Sequence, residues 1–100
     1  MPKEIKTAAE FDEFTKEGKV LVDLFATWCG PCRMLSPIVD QVEQEHPEVK
    51  FVKVDVDELP QIAARYNVAS IPTLVLLQDG QLVNKSIGFI PKPNLEKFIA

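Results

Sequence analysis

Apolar and polar residues follow changing periods along this 100-residue chain, and the changes mark its elements. Residues 20–26 form an apolar run interrupted only by Asp23, which is typical of a central strand covered on both faces. Three further segments have the pattern of strands: 49–56, 73–77 and 81–87.

Helical spacing of apolar residues marks the remaining segments. Thr7-Ala8-Ala9-Glu10 has the form of a capping box and predicts a helix from about Ala8 to Glu17. Three more segments carry apolar faces at helical spacing: 34–42, 59–66 and 95–99.

The predicted order is β-α-β-α-β-α-β-β-α, in which a first strand before the capping box joins the four segments above. The early strand–helix–strand units favour parallel pairing, and the Asp79-Gly80 turn predicts an antiparallel hairpin between the last two strands. We therefore predict an α/β fold with a mixed five-stranded sheet flanked by four helices.

Both cysteines lie in Trp28-Cys29-Gly30-Pro31-Cys32, between the central strand and a helical pattern. A sulfur at the first turn of a helix faces unpaired N–H groups and the positive end of the helix dipole, so Cys29 is predicted to be the nucleophile. Cys32 follows after one turn, within reach of a disulfide. Gly30 leaves room for another chain's disulfide, and Pro31 suits an early helical position.

The cysteine pair has two other interpretations. A zinc centre needs two more thiolate or imidazole ligands, and the remaining candidate is His46, about four turns along the same helix, so we predict no metal. A purely structural bridge adds little stability, because closing so short a loop constrains the unfolded chain only slightly. Redox chemistry is the favoured interpretation.

The five-residue motif resembles the signature of the thioredoxin family, and the resemblance runs from end to end. The other matching positions are Asp23, Lys53, Ile71-Pro72-Thr73, Gly80 and Gly88. The resemblance implies a single thioredoxin domain over residues 1–100. It also implies a thiol-disulfide oxidoreductase that reduces disulfides in other proteins through Cys29 and the resolving Cys32.

Two charged residues acquire roles from this resemblance. An ionised carboxylate in a covered strand is unfavourable without a partner or a task, and the family uses the residue at Asp23 to help deprotonate the second cysteine, Cys32. Lys53 neighbours that carboxyl in the family and would favour its ionised form. The alternatives are an Asp23 satisfied by hydrogen bonds or by Lys53, and a Lys53 that lies on a solvent face.

The resemblance also implies a surface for substrate proteins. The family has a cis proline at the position of Pro72, facing the cysteine motif, whereas propensity alone favours a trans bond. Backbone beside a cis Pro72 would pair with an extended substrate segment. The expected substrate-binding residues form a flat apolar patch: Trp28, Gly30, Pro31, Ile71, Pro72, Ile87, Gly88 and Phe89.

Composition and charge restrict the partners. A net charge of −4 argues against nucleic acid and anionic membranes. The N-terminus lacks an apolar signal core and no stretch is long enough to span a membrane, so we expect a cytoplasmic protein. We also expect a monomer. The resemblance implies no bound cofactor, many disulfide-containing partners, and electrons from NADPH through a flavoprotein, thioredoxin reductase.

Two positions are compared with the family pattern. Phe25 stands where many family members have tryptophan, and Arg33 follows the motif where lysine or arginine is usual.

Two other function classes stay open. An oxidase or isomerase on the same fold would reverse the electron flow. A binding subunit would use the apolar patch alone, with incidental thiols.

Overall fold

A mixed sheet of five strands organises the protein, whose computed structural model describes residues 1–100. The strands are β1 (Lys3–Glu4), β2 (Lys19–Phe25), β3 (Lys50–Asp55), β4 (Thr73–Gln78) and β5 (Gln81–Ile87). Their order across the sheet is β1-β3-β2-β4-β5. The first three strands are parallel, β4 runs antiparallel to β2, and β5 runs antiparallel to β4. The predicted mixed five-stranded sheet is confirmed.

Four helices cover the two faces of this sheet: α1 (Ala8–Thr15), α2 (Gly30–Glu45), α3 (Pro60–Arg65) and α4 (Lys92–Ile99). Phe11 of α1 and Ile62 of α3 belong to one apolar core. Leu35 of α2 and Leu95 of α4 belong to a second core on the opposite face. None of the helices combines the length and apolar character needed to cross a membrane.

The alternation of side chains along β2 decides which core each residue joins. Val20, Val22 and Leu24 enter the core under α1 and α3. Leu21 enters the core under α2 and α4. Asp23 lies two residues after Leu21 and therefore faces the same side, toward α2.

The first helix is shorter than predicted. It ends at Thr15, not Glu17, because β2 already begins at Lys19 and the chain needs the intervening residues to reverse direction. At its start, the Thr7 hydroxyl accepts the Glu10 N–H at 3.0 Å, as a capping box requires. The Glu10 carboxylate accepts the backbone N–H of Lys6 at 2.7 Å, so the box closes one residue earlier than its usual form.

The β4–β5 hairpin follows from its turn residues. Asp79 and Gly80 both have positive φ, at 52° and 81°, as a two-residue turn between twisted strands requires. The Asp79 carboxylate also accepts the Gly18 N–H at 2.8 Å, which ties the turn to the start of β2. The register shifts after Leu76, and this β-bulge disturbs the edge that β5 forms.

Candidate active site

Cys29 occupies the N-cap of α2, directly beyond the end of β2. Its backbone is extended, with φ −89° and ψ 112°, and its Sγ accepts the Cys32 N–H at 3.2 Å. The first turn of α2 contains no acidic side chain, so nothing offsets the positive end of the helix dipole there. Both features favour a thiolate at Cys29 when the pair is reduced.

The two cysteines are joined by a disulfide, and their Cα atoms lie 5.3 Å apart. Exposure does not separate their roles, because Cys29 is 4% and Cys32 6% exposed. The position at the helix N-cap does distinguish Cys29 from Cys32. No group of three or more His, Cys, Asp or Glu side chains is arranged to hold a metal ion.

Gly30 and Pro31 form the short segment between the sulfurs. Pro31 lies in the first turn of α2, where its missing N–H removes no helical hydrogen bond. A Cβ built on Gly30 would meet no atom within 4 Å, and Gly30 has no positive φ. The fold itself therefore gives no reason for glycine at this position.

Asp23 lies under α2 as a buried carboxyl. It is 7% exposed, and its Oδ1 has no hydrogen-bond partner. Burial raises the pKa of Asp23 to about 7, the positive charge of Lys53 lowers it, and the charge of Asp40 raises it further. The carboxyl therefore exchanges its proton near neutral pH.

Lys53 is the neighbour of Asp23 across the sheet, because the two are directly paired in the parallel register of β2 and β3. Its Nζ lies 5.5 Å from the centroid of the Phe25 ring, in a cation–π contact. Lys53 is half-buried and makes no hydrogen bond to Asp23, so it acts on the carboxyl through charge. Phe25 thus holds the lysine in place beside the site.

Asp23, Cys32 and Lys53 meet at one pocket of about 240 Å³. Its other lining residues are Phe25, Ala26, Thr27, Arg33 and Ser36. The Arg33 guanidinium donates to the Thr27 carbonyl at 2.9 Å, which fixes its positive charge at the rim. The pocket gives the buried carboxyl and the second cysteine a shared polar space.

Trp28 marks the other side of the disulfide. Its ring is 66% exposed, yet its Nε1–H donates to the Asp57 carboxylate at 2.8 Å, so the ring is oriented. Trp28 and Ile71 both line a second pocket of about 390 Å³. Ile71 also packs against the cluster that contains both cysteines.

The Ile71-Pro72 peptide bond is cis. The ladder pairs of β4 begin at Thr73, so the Ile71 backbone lies outside the sheet. The Pro72 carbonyl accepts the Gly88 N–H at 2.8 Å, and Gly88 has φ 91°, which favours glycine. This hydrogen bond holds the end of β5 against the proline.

The apolar residues around Gly88 are open to solvent. Ile87 is 63% and Phe89 is 41% exposed, and Ile87 is the ladder partner of Thr73. Large exposed apolar side chains beside a reactive disulfide are typical of a surface that contacts other macromolecules.

Comparisons with known proteins agree over nearly the whole chain. Residues 3–100 match the Thioredoxin family model. The chain belongs to the thioredoxin family. It is 48% identical over 100 residues to thioredoxin of Listeria monocytogenes, covering 99% of this chain and 96% of that one. Thioredoxin of Bacillus subtilis is 46% identical over 94 residues, covering 93% and 90% of the two chains.

Solved thioredoxin structures share the fold. The oxidised form of mitochondrial thioredoxin 3 from Saccharomyces cerevisiae superimposes with a TM-score of 0.90 at 43% identity, covering 98% of this chain and 92% of that one. The thioredoxin fold is therefore confirmed. With the disulfide-capable pair at the start of α2, family membership makes this chain a thiol-disulfide oxidoreductase with protein-disulfide reductase activity.

Three residues of this thioredoxin site were not predicted from the sequence. Ser36 lines the pocket of Asp23, Asp40 acts on the Asp23 carboxyl through its charge, and Asp57 orients Trp28. For Ser36 and Asp40 a signal existed, since they follow Cys32 at intervals of one helical turn. Nothing local in the sequence connects Asp57 to Trp28.

Proposed function

We propose that Cys29 is the attacking nucleophile and Cys32 the resolving thiol of a reductase acting on protein disulfides. The observation that carries this assignment is the Cys29 Sγ at the N-cap of α2, accepting the Cys32 N–H at 3.2 Å. The same contact, together with the uncompensated helix dipole, stabilises negative charge on the Cys29 sulfur.

The reaction has two steps. The Cys29 thiolate attacks one sulfur of the substrate disulfide, forming a mixed disulfide and releasing the other substrate sulfur as a thiolate. Cys32 then loses its proton and attacks the Cys29 sulfur. The Cys29–Cys32 bond forms, the bond to the substrate breaks, and its electron pair leaves on the second substrate sulfur. Two electrons have passed from the protein dithiol to the substrate.

Asp23 is proposed as the group that accepts the Cys32 proton in the second step. Its pKa of about 7 lets it be ionised before the transfer and protonated after it, close to neutral pH. Lys53 is proposed as its positioning partner, because the lysine charge keeps a usable fraction of the carboxyl ionised despite burial.

Substrate proteins are proposed to dock on the apolar face around the disulfide. Support comes from the exposed Trp28, Ile87 and Phe89 and from the Ile71 backbone, which lies outside the sheet and is available to an extended chain. Gly30, Pro31, Pro72 and Gly88 complete the proposed contact set. The open space beside Gly30 supports its place in this set, because no atom of the protein fills that space and a substrate could approach there.

The electron supply is proposed to be external. Each turnover leaves the cysteine pair oxidised, so we propose that a flavoprotein reductase drawing on NADPH regenerates the dithiol. The protein is proposed to act as a cytoplasmic monomer on many disulfide-containing proteins. The reductase and the substrate proteins would use the same surface around Cys29, one after the other. The net charge of −4 offers no attraction to polyanions such as nucleic acid.

Reduction of insulin with dithiothreitol as electron donor tests the central assignment. Wild type should accelerate precipitation of the insulin B chain, and Cys29→Ser should abolish the acceleration. Cys32→Ser should instead accumulate a mixed disulfide, visible as the summed mass of the two chains. Wild-type turnover no faster than the dithiothreitol background would overturn the proposal and favour an oxidant or a docking subunit.

A further inference from the structure

The second step of the proposed reaction needs a path for the proton from the Cys32 thiol to the Asp23 carboxylate. Asp23 and Cys32 line the same pocket, and the Oδ1 of the buried carboxyl has no hydrogen-bond partner. In the reduced protein, a side chain in this pocket that both accepts and donates hydrogen bonds would connect the Cys32 thiol to the carboxylate. Four lining side chains carry exchangeable protons: Thr27, Arg33, Ser36 and Lys53.

Chemistry removes two of these four. A guanidinium and an ammonium donate hydrogen bonds but have no acceptor lone pair, so Arg33 and Lys53 cannot take a proton while charged. A hydroxyl does both. Of the two hydroxyl residues, Thr27 is exposed in the loop after β2, whereas Ser36 is half-buried within α2.

Helix geometry directs Ser36 toward the second cysteine. Ser36 follows Cys32 by one turn, so the two side chains lie on the same face of α2. Because Cα–Cβ bonds tilt toward the N-terminus of a helix, the Ser36 side chain leans back in the direction of Cys32. On the facing strand, Asp23 projects toward α2 and lines the same pocket.

The Ser36 hydroxyl makes no hydrogen bond that would prevent it from accepting and donating a proton. Thr15 in α1 shows the usual fate of a helical hydroxyl, donating to the Phe11 carbonyl one turn back at 2.8 Å. No such hydrogen bond holds Ser36 to the carbonyl of Cys32. Its hydroxyl can therefore rotate between an acceptor and a donor orientation inside the pocket.

We propose that the Ser36 hydroxyl relays the proton from the Cys32 thiol to the Asp23 carboxylate, an inference that rests on the two-step reduction proposed above. The Ser36 oxygen receives the thiol proton as its own O–H hydrogen passes to Asp23. Cys32 becomes a thiolate, Asp23 becomes neutral, and Ser36 ends unchanged. The Cys32–Cys29 bond then forms as the bond to the substrate sulfur breaks.

The charges around the relay come from three elements. Arg33 and Asp40 belong to α2, Lys53 belongs to β3, and Asp23 itself belongs to β2. Lys53 favours the ionised form of Asp23, and Asp40 opposes it. None of these groups changes when Ser36 is replaced, so a change in the pH profile of a Ser36 variant reports the hydroxyl.

Reaction of the reduced protein with 5,5′-dithiobis(2-nitrobenzoate) separates the two steps. Attack by Cys29 releases one nitrothiobenzoate, and attack by Cys32 on the resulting mixed disulfide releases a second. At pH 7, Ser36→Ala should slow the second release by about a hundredfold, the lower end of the range for a lost proton-transfer group, with the first release unchanged. At strongly alkaline pH, where hydroxide can deprotonate a thiol directly, the two proteins should converge.

Matched variants separate a relay from a packing effect. Ser36→Thr restores a hydroxyl and should recover the second release, whereas Ser86→Ala, a serine-to-alanine change on β5, should match wild type throughout. A second release in Ser36→Ala equal to wild type at pH 7, or slowed equally at every pH, would overturn the relay. If wild type itself gave no second release, the proposed two-step reduction would fail instead.

Discussion

Replacing Asp23 by asparagine should stabilise the protein in a strongly pH-dependent way. The carboxyl has a pKa of about 7 in the folded chain against 3.8 in its ordinary state. Between these values the folded state holds a proton that the unfolded state has lost, so stability falls as pH rises through this window and is constant above it. At about 1.4 kcal/mol per pKa unit, ionising Asp23 costs about 4 kcal/mol of folding free energy above pH 8.

The pH dependence isolates this contribution from other effects of the substitution. A buried asparagine amide leaves polar atoms unpaired, at a cost on the order of 1–3 kcal/mol that does not vary with pH. The free energy of unfolding of Asp23→Asn minus that of wild type should therefore grow by about 4 kcal/mol from about pH 3.5 to pH 8, whatever its starting value.

Urea unfolding followed by far-UV ellipticity measures this difference. The protein is kept oxidised so that Cys29 and Cys32 do not titrate, and Trp28 fluorescence is avoided because the ring is already 66% exposed. Asp79→Asn is the control of opposite sign. The Gly18 N–H lowers the pKa of Asp79, so this carboxylate stabilises the fold above its ordinary pKa and loses that effect as pH falls. A constant difference for Asp23→Asn across the pH range would refute the reasoning.

Three further substitutions test the neighbours of the disulfide. Lys53→Met should raise the Asp23 pKa, because it removes the one positive charge that lowers it, and a carboxyl ¹³C NMR titration unchanged from wild type would contradict this. Asp40→Asn should shift the same titration downward by removing a like charge, and an upward shift would exclude direct repulsion. Gly30→Ala should leave stability equal or raise it by up to about 1 kcal/mol, since its Cβ meets open space, while slowing insulin reduction. Equal insulin turnover would remove Gly30 from the docking surface.

The fold was largely predictable because its main signals are local. The apolar run over β2 requires a covered strand, the Asp79-Gly80 pair has the positive φ values of a tight hairpin, and Cys29 behaves as an N-cap should. Element ends were less predictable. The end of α1 at Thr15 depends on where β2 begins to pair, and the bulge after Leu76 depends on the register of a strand distant in space.

The candidate site was predictable only in part, because its outer members are joined by tertiary contacts. The spacing of Ser36 and Asp40 after Cys32 places them on one face of α2, but the sequence does not say which strand lies opposite. The parallel register of β2 and β3 brings Asp23 and Lys53 side by side under that face. The cis state of Pro72 came from family resemblance, since propensity favours the trans bond.

The charges around Asp23 show why a destabilising carboxyl suits this chemistry. Burial alone would raise the pKa of Asp23 so far that the carboxyl would stay protonated and could not accept a proton from Cys32. Full pairing with Lys53 would lower the pKa so far that the carboxylate would be too weak a base. Lys53 acts through charge without a hydrogen bond, and Asp40 acts against it, so the pKa stays at about 7. A base whose pKa matches the surrounding pH can both take and return a proton. In the proposed mechanism, the same carboxyl would serve resolution of the mixed disulfide and, in reverse, reduction of the Cys29–Cys32 bond.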